Sequence, residues 1–235
     1  VGAFPAGALV SDLAVEPKEP ALGIINTSAR GTVAASCGMG AYIGLSIYLP
    51  VYFQSARGMS TTESGLGLIP LMVGTVIGAT IAGQLMGRIV HYKRVPVIGL
   101  FFAALGATSL ALWADAMPLW LFATVLAVIS IGLGTVLPTT TVAIQNAVEV
   151  HELGTATGTM NFFRQLGSAV TVAIFGALLN ASGISEAALH TAGSVAAGGF
   201  TPIFAATAIG FVIAFIFILW MKERPLRSSA RHAAE

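Results

Sequence analysis

The sequence predicts an all-α integral membrane protein with six transmembrane helices, and three observations lead to that fold class. Of the 235 residues, 56% are hydrophobic and only 9% are Asp, Glu, Lys or Arg, whereas soluble domains carry about 25% charged residues. The mean hydropathy is +0.87, and six stretches of 20 or more residues contain no charged side chain. Such a chain cannot cover a soluble globule with polar surface, so the composition argues against a soluble enzyme and against a disordered chain.

The charge-free stretches position the helices, because a helix needs about 20 apolar residues to cross the hydrocarbon core of a bilayer. Each stretch accommodates one span. The predicted helices cover approximately residues 32–54, 65–87, 95–113, 118–142, 160–180 and 201–221. The polar, Pro-containing segment 1–30 is predicted to be a cytoplasmic loop that follows the end of a preceding segment, and residues 222–235 to be a basic cytoplasmic tail.

The distribution of Lys and Arg predicts the orientation, because these residues are retained on the cytoplasmic side of a membrane. With the N-terminal segment inside, nine basic loop residues are cytoplasmic and only Arg57 is outside. The nine are Lys18, Arg30, Arg88, Lys93, Arg94, Lys222, Arg224, Arg227 and Arg231. We therefore expect a multi-pass protein of the plasma (inner) membrane with its N-terminal segment and C-terminal tail in the cytoplasm.

Glycines four residues apart recur within the predicted spans. Two residues at this spacing share one face of a helix, and their lack of side chains lets two helix backbones approach closely. The pairs are Gly40 with Gly44, Gly74 with Gly78, Gly83 with Gly87, and Gly154 with Gly158. They indicate either static helix packing or surfaces along which helices slide.

The spans contain few polar groups that could contact a ligand. Tyr42, Ser46 and Tyr48 lie deep in the first helix, and Ser130 and Thr139 lie in the fourth. Ser and Thr hydroxyls also bond to the backbone of their own helix, and Tyr favours membrane interfaces, so both interpretations stay open for these five.

Arg164 is the one charged residue inside a predicted span. It lies about 9 Å along the helix axis from Gly158, at the rise of 1.5 Å per residue. From that depth its guanidinium reaches the headgroups by snorkelling or pairs with a neighbouring segment, and the alternative is a direct contact with substrate.

The sequence carries no signature of catalysis, of a metal site, of a cofactor or of nucleic-acid binding. Cys37 is the single cysteine, and the four histidines are dispersed over loops and the tail, so no set of metal ligands is predicted. The net charge is +1, and no basic patch interrupts the apolar stretches. We expect neither an enzyme nor a nucleic-acid partner; the expected partners are the lipid bilayer and a small-molecule substrate.

Three stretches resemble the C-terminal half of major facilitator superfamily transporters, and most closely the branch of 14-helix drug:proton antiporters. One runs from Tyr48-Leu49-Pro50-Val51-Tyr52-Phe53-Gln54 to Pro70, and another is Gly154-Thr155-Ala156-Thr157-Gly158 continuing through Asn161-Phe162-Phe163-Arg164-Gln165. The third, Gly83-Gln84-Leu85-Met86-Gly87-Arg88, resembles the loop motif between paired helices of that superfamily. It departs from the motif by carrying Gly87 in place of Asp and Val90 in place of Gly.

The resemblance implies one major-facilitator-type bundle made of two inverted three-helix repeats, residues 31–114 and 118–221. It implies that the first helix of each repeat lines a substrate cavity, which makes Tyr42, Ser46, Tyr48, Ser130 and Thr139 the cavity candidates. The third and sixth helices are expected to face lipid. The candidates for gating or loop functions are Gly83, Gly87, Arg88, Arg164 and Gln165.

The function implied by the resemblance is proton-coupled efflux of small, drug-like amphipathic molecules by alternating access. No Asp or Glu lies in the middle of a predicted span, so either the proton-coupling acid lies in a missing N-terminal bundle of the same protein (or in a partner chain), or the protein is not proton-coupled. We expect the first. The alternative is a half-size or degenerate membrane protein that acts as a non-transporting scaffold or needs a partner.

Overall fold

The computed structural model describes residues 19–86, 93–148, 150–182 and 197–221, and the regular secondary structure in these ranges is entirely helical. In chain order the helices are α1 (Glu19–Ser55), α2 (Thr61–Leu66), α3 (Ile69–Met86), α4 (Arg94–Trp113), α5 (Leu119–Ala147), α6 (Leu153–Ala181) and α7 (Thr201–Trp220). Short 3₁₀ turns, Val150–Glu152 and Ala197–Phe200, precede α6 and α7. The predicted loop residues Gly87 and Arg88, the first 18 residues and the tail 222–235 lie outside the described residues.

Six segments of the described chain are long and apolar enough to cross a membrane, which confirms the predicted fold class. They are Ala29–Ser55, Thr61–Met86, Arg94–Trp113, Leu119–Asn146, Leu153–Ala181 and Thr201–Trp220. The second span combines α2 and α3, and Ser60 caps its start by accepting a hydrogen bond from the Glu63 amide while Glu63 accepts from Ser60.

Two helices begin earlier than the charge pattern indicates. α1 begins at Glu19 rather than near residue 32, because Pro20 lies in the first turn, where its missing N–H has no helical partner to lose. α6 begins at Leu153 rather than near residue 160, so the Gly- and Thr-rich stretch 154–159 belongs to the helix although both residue types are poor helix formers. The charged residues therefore do not mark where these two helices begin.

The first three spans and the last three spans make equivalent helix contacts. In this comparison α1 is equivalent to α5, α3 to α6, and α4 to α7. α6 packs against α1 as α3 packs against α5, and α7 packs against α1 as α4 packs against α5. The contacts of α1 with α5 and of α4 with α7 are unchanged when equivalent helices are exchanged. Because each unit contains an odd number of spans, the second unit enters the membrane from the opposite side, as two inverted repeats require.

A short sequence repeat accompanies this equivalence. Ser36-Cys37-Gly38-Met39-Gly40 in α1 matches Ser130-Ile131-Gly132-Leu133-Gly134 in α5 in its serine and both glycines. Ser36 Oγ donates to the Phe163 carbonyl of α6 at 3.0 Å, and Ser130 Oγ lies 3.2 Å from the Pro70 carbonyl of α3. In each repeat, the serine of this motif thus contacts the backbone of the middle helix of the other repeat.

Glycines allow the closest of these helix crossings. A methyl group at Gly40 would lie 2.8 Å from Thr171 Cβ of α6, and one at Gly44 would overlap the ring of Phe175. A methyl group at Gly78 would overlap the Ile131 carbonyl of α5. These distances show that Gly40, Gly44 and Gly78 lie at close helix crossings.

The remaining glycine pairs do not take part in such crossings within the described chain. Around Gly83, Gly154 and Gly158, no atom of the described residues lies within 4 Å of the position that a Cβ would occupy. A side chain at these positions therefore meets open space on the surface of the bundle.

An aromatic cluster fills one end of the bundle. The Tyr52 ring stacks on Phe122 at 5.5 Å and meets Phe200 and Phe204 edge-on at 5.4 Å each, while Phe53 meets Phe122 at 5.4 Å. These rings come from α1, α5, the 3₁₀ turn and α7, and all five are at most 3% exposed. They join both repeats at this end.

Arg57 lies over these rings at the same end of the bundle. Its guanidinium donates to the carbonyls of Ala114 and Met117 after α4 and, at 3.1 Å, to the Tyr52 hydroxyl. Tyr52 donates to the Ala114 carbonyl at 3.2 Å, and the guanidinium lies 5.8 Å from the centroid of its ring. We call Arg57, Tyr52, Ala114 and Met117 the Arg57 clasp; it satisfies two backbone carbonyls in the connection that follows α4.

Two basic side chains close the opposite end. Arg30 of α1 donates to the Trp220 carbonyl, and Lys93, just before α4, donates to the Leu219 carbonyl, each at 2.6 Å. Cations are favourable at a helix C-terminus, where the last carbonyls carry partial negative charge. These bonds hold the end of α7 to α1 and α4.

Replacing Gly78 with Ala is expected to destabilise the bundle by about 1–3 kcal/mol, because the new methyl group would force α3 away from α5. Denaturant unfolding in detergent micelles, followed by circular dichroism, measures the change. Gly83→Ala on the same helix is the matched control, since its methyl group meets open space. Equal losses from both variants would show that the crossing is not tightly packed.

Replacing Arg57 with Gln is expected to lower the unfolding free energy by roughly 1–3 kcal/mol, because two carbonyls and the Tyr52 hydroxyl lose a charged donor. The apparent melting temperature in micelles reports this loss. Arg164→Gln is the control, because that guanidinium donates to the Asn161 side chain of its own helix and joins no two helices. An Arg57→Gln variant as stable as the control would contradict the clasp.

Candidate functional site

One side of α1 is partly open between Met39 and Pro50. Met39, Ile43, Ser46 and Pro50 follow helical spacing and are each partly exposed. Ser46 Oγ donates to the Ile43 carbonyl at 2.9 Å. Pro50 has no N–H to donate to the Ser46 carbonyl one turn earlier, so a hydroxyl and a carbonyl provide polar atoms on an otherwise apolar stripe.

The predicted cavity residues of α1 divide between two sides of this helix. Tyr42 is half-buried next to the open stripe and packs partly against the core. Tyr48 instead lies on the α6 side, where its ring is 6.2 Å from that of Phe175. A methyl group at Gly176 would lie 3.0 Å from the Tyr48 hydroxyl. The structure therefore brings Tyr42 and Ser46 together and separates Tyr48 from them.

The predicted cavity residues of α5 are fully buried. Ser130 lies at the crossing with α3, and its hydroxyl is 2.8 Å from the Leu126 carbonyl of its own helix. Thr139 Oγ1 donates to the Thr135 carbonyl at 2.7 Å. The bonds made by these hydroxyls are backbone bonds, and both side chains occupy helix interfaces rather than an open surface.

Beyond Pro138, α5 carries polar groups that are more accessible. Thr141 and Gln145 are partly exposed. Thr141 Oγ1 donates to the Leu137 carbonyl at 2.8 Å, and Gln145 Nε2 donates to Thr157 Oγ1 of α6 at 3.3 Å. Gln145 thus links the two helices near their connection.

Of the predicted gating residues that the structure describes, Arg164 and Gln165 lie on α6 and Gly83 lies on α3. Arg164 is half-buried and donates to the Asn161 side chain one turn earlier, while Asn161 and Gln165 are exposed. The pairing expected for Arg164 was with a neighbouring segment, whereas the partner observed here belongs to its own helix. Gly83 lies on the exposed surface of α3.

The six spans differ in how much the bundle covers them. Half of the apolar window of the first and fourth spans is buried, compared with 39% for the third and sixth. The second and fifth are the least covered, at 22% and 17%. The third and sixth spans, α4 and α7, present apolar side chains outward, such as Ile98 and Ile209. The second and fifth spans nevertheless have the larger uncovered surface.

Three of the cavities that open between the described helices are large enough to hold part of a small molecule. One of about 760 Å³ lies between α1, the end of α5 and α6, and its lining includes Ser36 and Phe163. One of about 650 Å³ lies between α3, α4 and α5, with Arg94 at one end. The third, about 450 Å³, lies near Phe53 and Glu63. Apolar side chains dominate all three linings, so apolar parts of molecules suit them best.

Two features of the structure were not predicted. The repeated Ser-x-Gly-x-Gly motif at Ser36 and Ser130 was visible in the sequence as a spaced repeat. The Arg57 clasp had no comparable signal, because its partners are backbone carbonyls more than 50 residues away. Within the ranges that the structure covers, no three His, Cys, Asp or Glu side chains gather at a potential metal site.

The chain is similar to transport proteins over most of its length. The sequence profile of the Major Facilitator Superfamily matches residues 6–172. An uncharacterised MFS-type transporter of Mycobacterium tuberculosis is 33% identical over 138 residues, which are 59% of this chain and 20% of that protein. The multidrug transporter protein MdtP of Bacillus subtilis is 33% identical over 139 residues, 59% of this chain and 25% of that protein.

A tetracycline resistance determinant of Streptomyces rimosus is 26% identical over 169 residues, 69% of this chain and 49% of that protein. The chain thus spans between a fifth and a half of these relatives. The profile match covers more than half of the chain, and six apolar spans accompany it. The chain is therefore a multi-pass membrane protein that belongs to the Major Facilitator Superfamily.

Proposed function

We propose that this chain is one six-helix bundle of a transporter that exports small amphipathic molecules by alternating access. The observation that carries the proposal is that the two three-span units make equivalent helix contacts, with α1 equivalent to α5 and α6 equivalent to α3. Inverted repeats of this kind allow rigid halves to rock around a site near the middle of the membrane. The relatives named as a multidrug transporter and a tetracycline resistance determinant support export as the direction.

The uncovered face of α6 supports a second bundle as the partner. Asn161 and Gln165 are exposed within a predominantly apolar span, and amides facing lipid are unfavourable because lipid offers them no hydrogen-bond partners. The relatives extend well beyond the region matched by this chain. The remainder of the protein, or a partner chain, is the proposed cover for α6 and for the outer face of α3.

The substrate-contacting part of this bundle is the open stripe of α1 with Tyr42 and Ser46. Both residues have polar atoms next to apolar neighbours, which suits an amphipathic molecule. Tyr48, Ser130 and Thr139 were candidates on the same grounds. Their positions in helix interfaces support a packing role for them in this conformation.

Proton coupling needs a titratable group that alternates its exposure across the membrane. The charge-free stretches of this chain contain no Asp or Glu, so the proposed coupling acid belongs to the partner bundle. The excess of Lys and Arg at one set of loops supports a cytoplasmic location for the Arg94 end of the bundle, with the Arg57 clasp on the outer side of the plasma membrane.

Residues 1–235 reconstituted alone are expected to show no transport driven by an imposed pH gradient, because the coupling acid is absent. Ethidium movement into or out of proteoliposomes, followed by fluorescence, tests this. The full-length protein, expressed in cells, is expected to lower ethidium accumulation in a way that a protonophore abolishes. Proton-driven ethidium transport by the chain alone would overturn the half-bundle proposal. If the full-length protein transports none of the amphipathic dyes tested, the alternative of a non-transporting membrane scaffold is favoured.

Ser46→Ala and Tyr42→Ala in the full-length protein are expected to raise the KM for an exported dye several-fold, because each removes a polar contact from the open stripe. Initial efflux rates at several dye concentrations give KM and the maximal rate separately. Thr139→Val is the control, since its hydroxyl bonds to its own helix and its loss leaves the open stripe unchanged. A KM change in the control equal to that in Ser46→Ala would refute this assignment.

A further inference from the structure

A groove on the outer surface of the bundle combines an apolar interior with a positive charge at its end. α3 and α4 both pack against α5 but touch each other very little. The space between them, about 650 Å³, has α5 as its floor and side chains of α3 and α4 as its walls. The groove is lined by Ile81, Leu85, Ile98, Phe102, Val128 and Ile131.

Arg94 stands at one end of this groove. It is the first residue of α4, its side chain is exposed, and it makes no hydrogen bond or ion pair to the residues that the structure describes. The neighbouring Lys93 already donates to the Leu219 carbonyl. A guanidinium with five donors at the mouth of an apolar groove matches a phosphate group followed by a hydrocarbon chain.

The dimensions agree with the position of a lipid in one leaflet. From Arg94 to Phe102 the helix rises about 12 Å at 1.5 Å per residue. One leaflet contributes roughly 15 Å to the hydrocarbon core. Arg94 therefore lies near the headgroup level when Ile98 and Phe102 lie at the level of the acyl chains.

The walls of the groove remain open to the surrounding membrane. Ile98 is 57% exposed and Phe102 is 51% exposed, and Val128 of the floor is 37% exposed. An acyl chain in the groove would cover these side chains without displacing any part of the bundle. The groove is lined by residues of α3, α4 and α5, and no residue of the α1 stripe that is proposed to contact substrate takes part in its lining.

We propose that this groove binds an anionic membrane phospholipid, with the phosphate at Arg94 and one acyl chain along Ile98 and Phe102. A net negative headgroup is preferred over a zwitterionic one, because the ammonium group of the latter is repelled by Arg94 and by the basic residues next to it in the sequence. The proposal requires only that the chain spans a membrane and does not depend on transport.

The first experiment compares two lipids with identical acyl chains. Dioleoylphosphatidylglycerol is added to the purified protein in micelles, in parallel with dioleoylphosphatidylcholine, and melting temperatures are measured. The anionic lipid is expected to raise the melting temperature by several degrees more than the zwitterionic lipid does. Arg94→Gln should remove most of this difference, and Arg94→Lys should retain part of it. Equal effects of the two lipids on the unmodified protein would overturn the proposal, as would an undiminished difference in Arg94→Gln.

The second experiment locates the acyl chain. Phe102→Trp is made in a protein whose native tryptophans, Trp113, Trp120 and Trp220, are replaced with Phe, and quenching by brominated lipids is measured in nanodiscs. Phe101→Trp is the matched control, since Phe101 is 48% exposed at the same depth but does not line the groove.

Brominated phosphatidylglycerol is expected to quench the Phe102→Trp variant more strongly than brominated phosphatidylcholine does, whereas the Phe101→Trp variant should respond to both equally. Free glycerol phosphate should not reduce the quenching, because the acyl chain supplies part of the binding. Competition by glycerol phosphate would indicate a site for a soluble phosphate and refute the lipid assignment. Shielding of the Phe102→Trp indole from both brominated lipids would show that protein covers the groove and would refute it as well.

Discussion

Close contact between helix backbones at glycines is the constraint on which this bundle depends. In a bilayer, burying apolar side chains between helices gains little, because the surrounding lipid is equally apolar. Helices must then associate through dense packing and the few polar contacts that close approach permits. The crossings at Gly40 with Thr171 and at Gly78 with Ile131 are of this kind, and a single methyl group would separate the helices at either one.

The same constraint explains why the two serines of the repeated motif bond across helices. Ser36 and Ser130 reach a carbonyl of the neighbouring helix only because glycines lie within one turn of them. The two ends of the bundle are held differently, by Arg57 at one end and by Arg30 and Lys93 at the other. These end contacts join α1, α4 and α7 and leave α3 and α6 attached through their glycine crossings, which agrees with the smaller buried share of the second and fifth spans.

The fold class could be predicted from the sequence because lipid imposes a strong length and charge requirement on each span. The helix starts at Glu19 and Leu153 could not be predicted from charge alone, since a helix continues past the membrane surface until its hydrogen bonds end. The Arg57 clasp was not predictable either, because its acceptors are backbone atoms that every residue possesses. Tyr42 and Tyr48 looked alike in sequence, and only the rotation of α1 separates the open stripe from the α6 contact.

The arrangement of polar atoms also bears on how selective the proposed site can be. The hydroxyls of Thr135, Thr139 and Thr140 donate to carbonyls of their own helix, so these residues have no free O–H donor to offer a ligand there. The open stripe of α1 supplies only a few polar atoms among apolar side chains. In an apolar site one methylene group changes binding by about 1–3 kcal/mol, far less than the discrimination that paired buried polar groups achieve. Under the proposed function, this bundle therefore distinguishes substrates by size and apolar shape, and a narrower specificity requires polar groups supplied by the partner bundle.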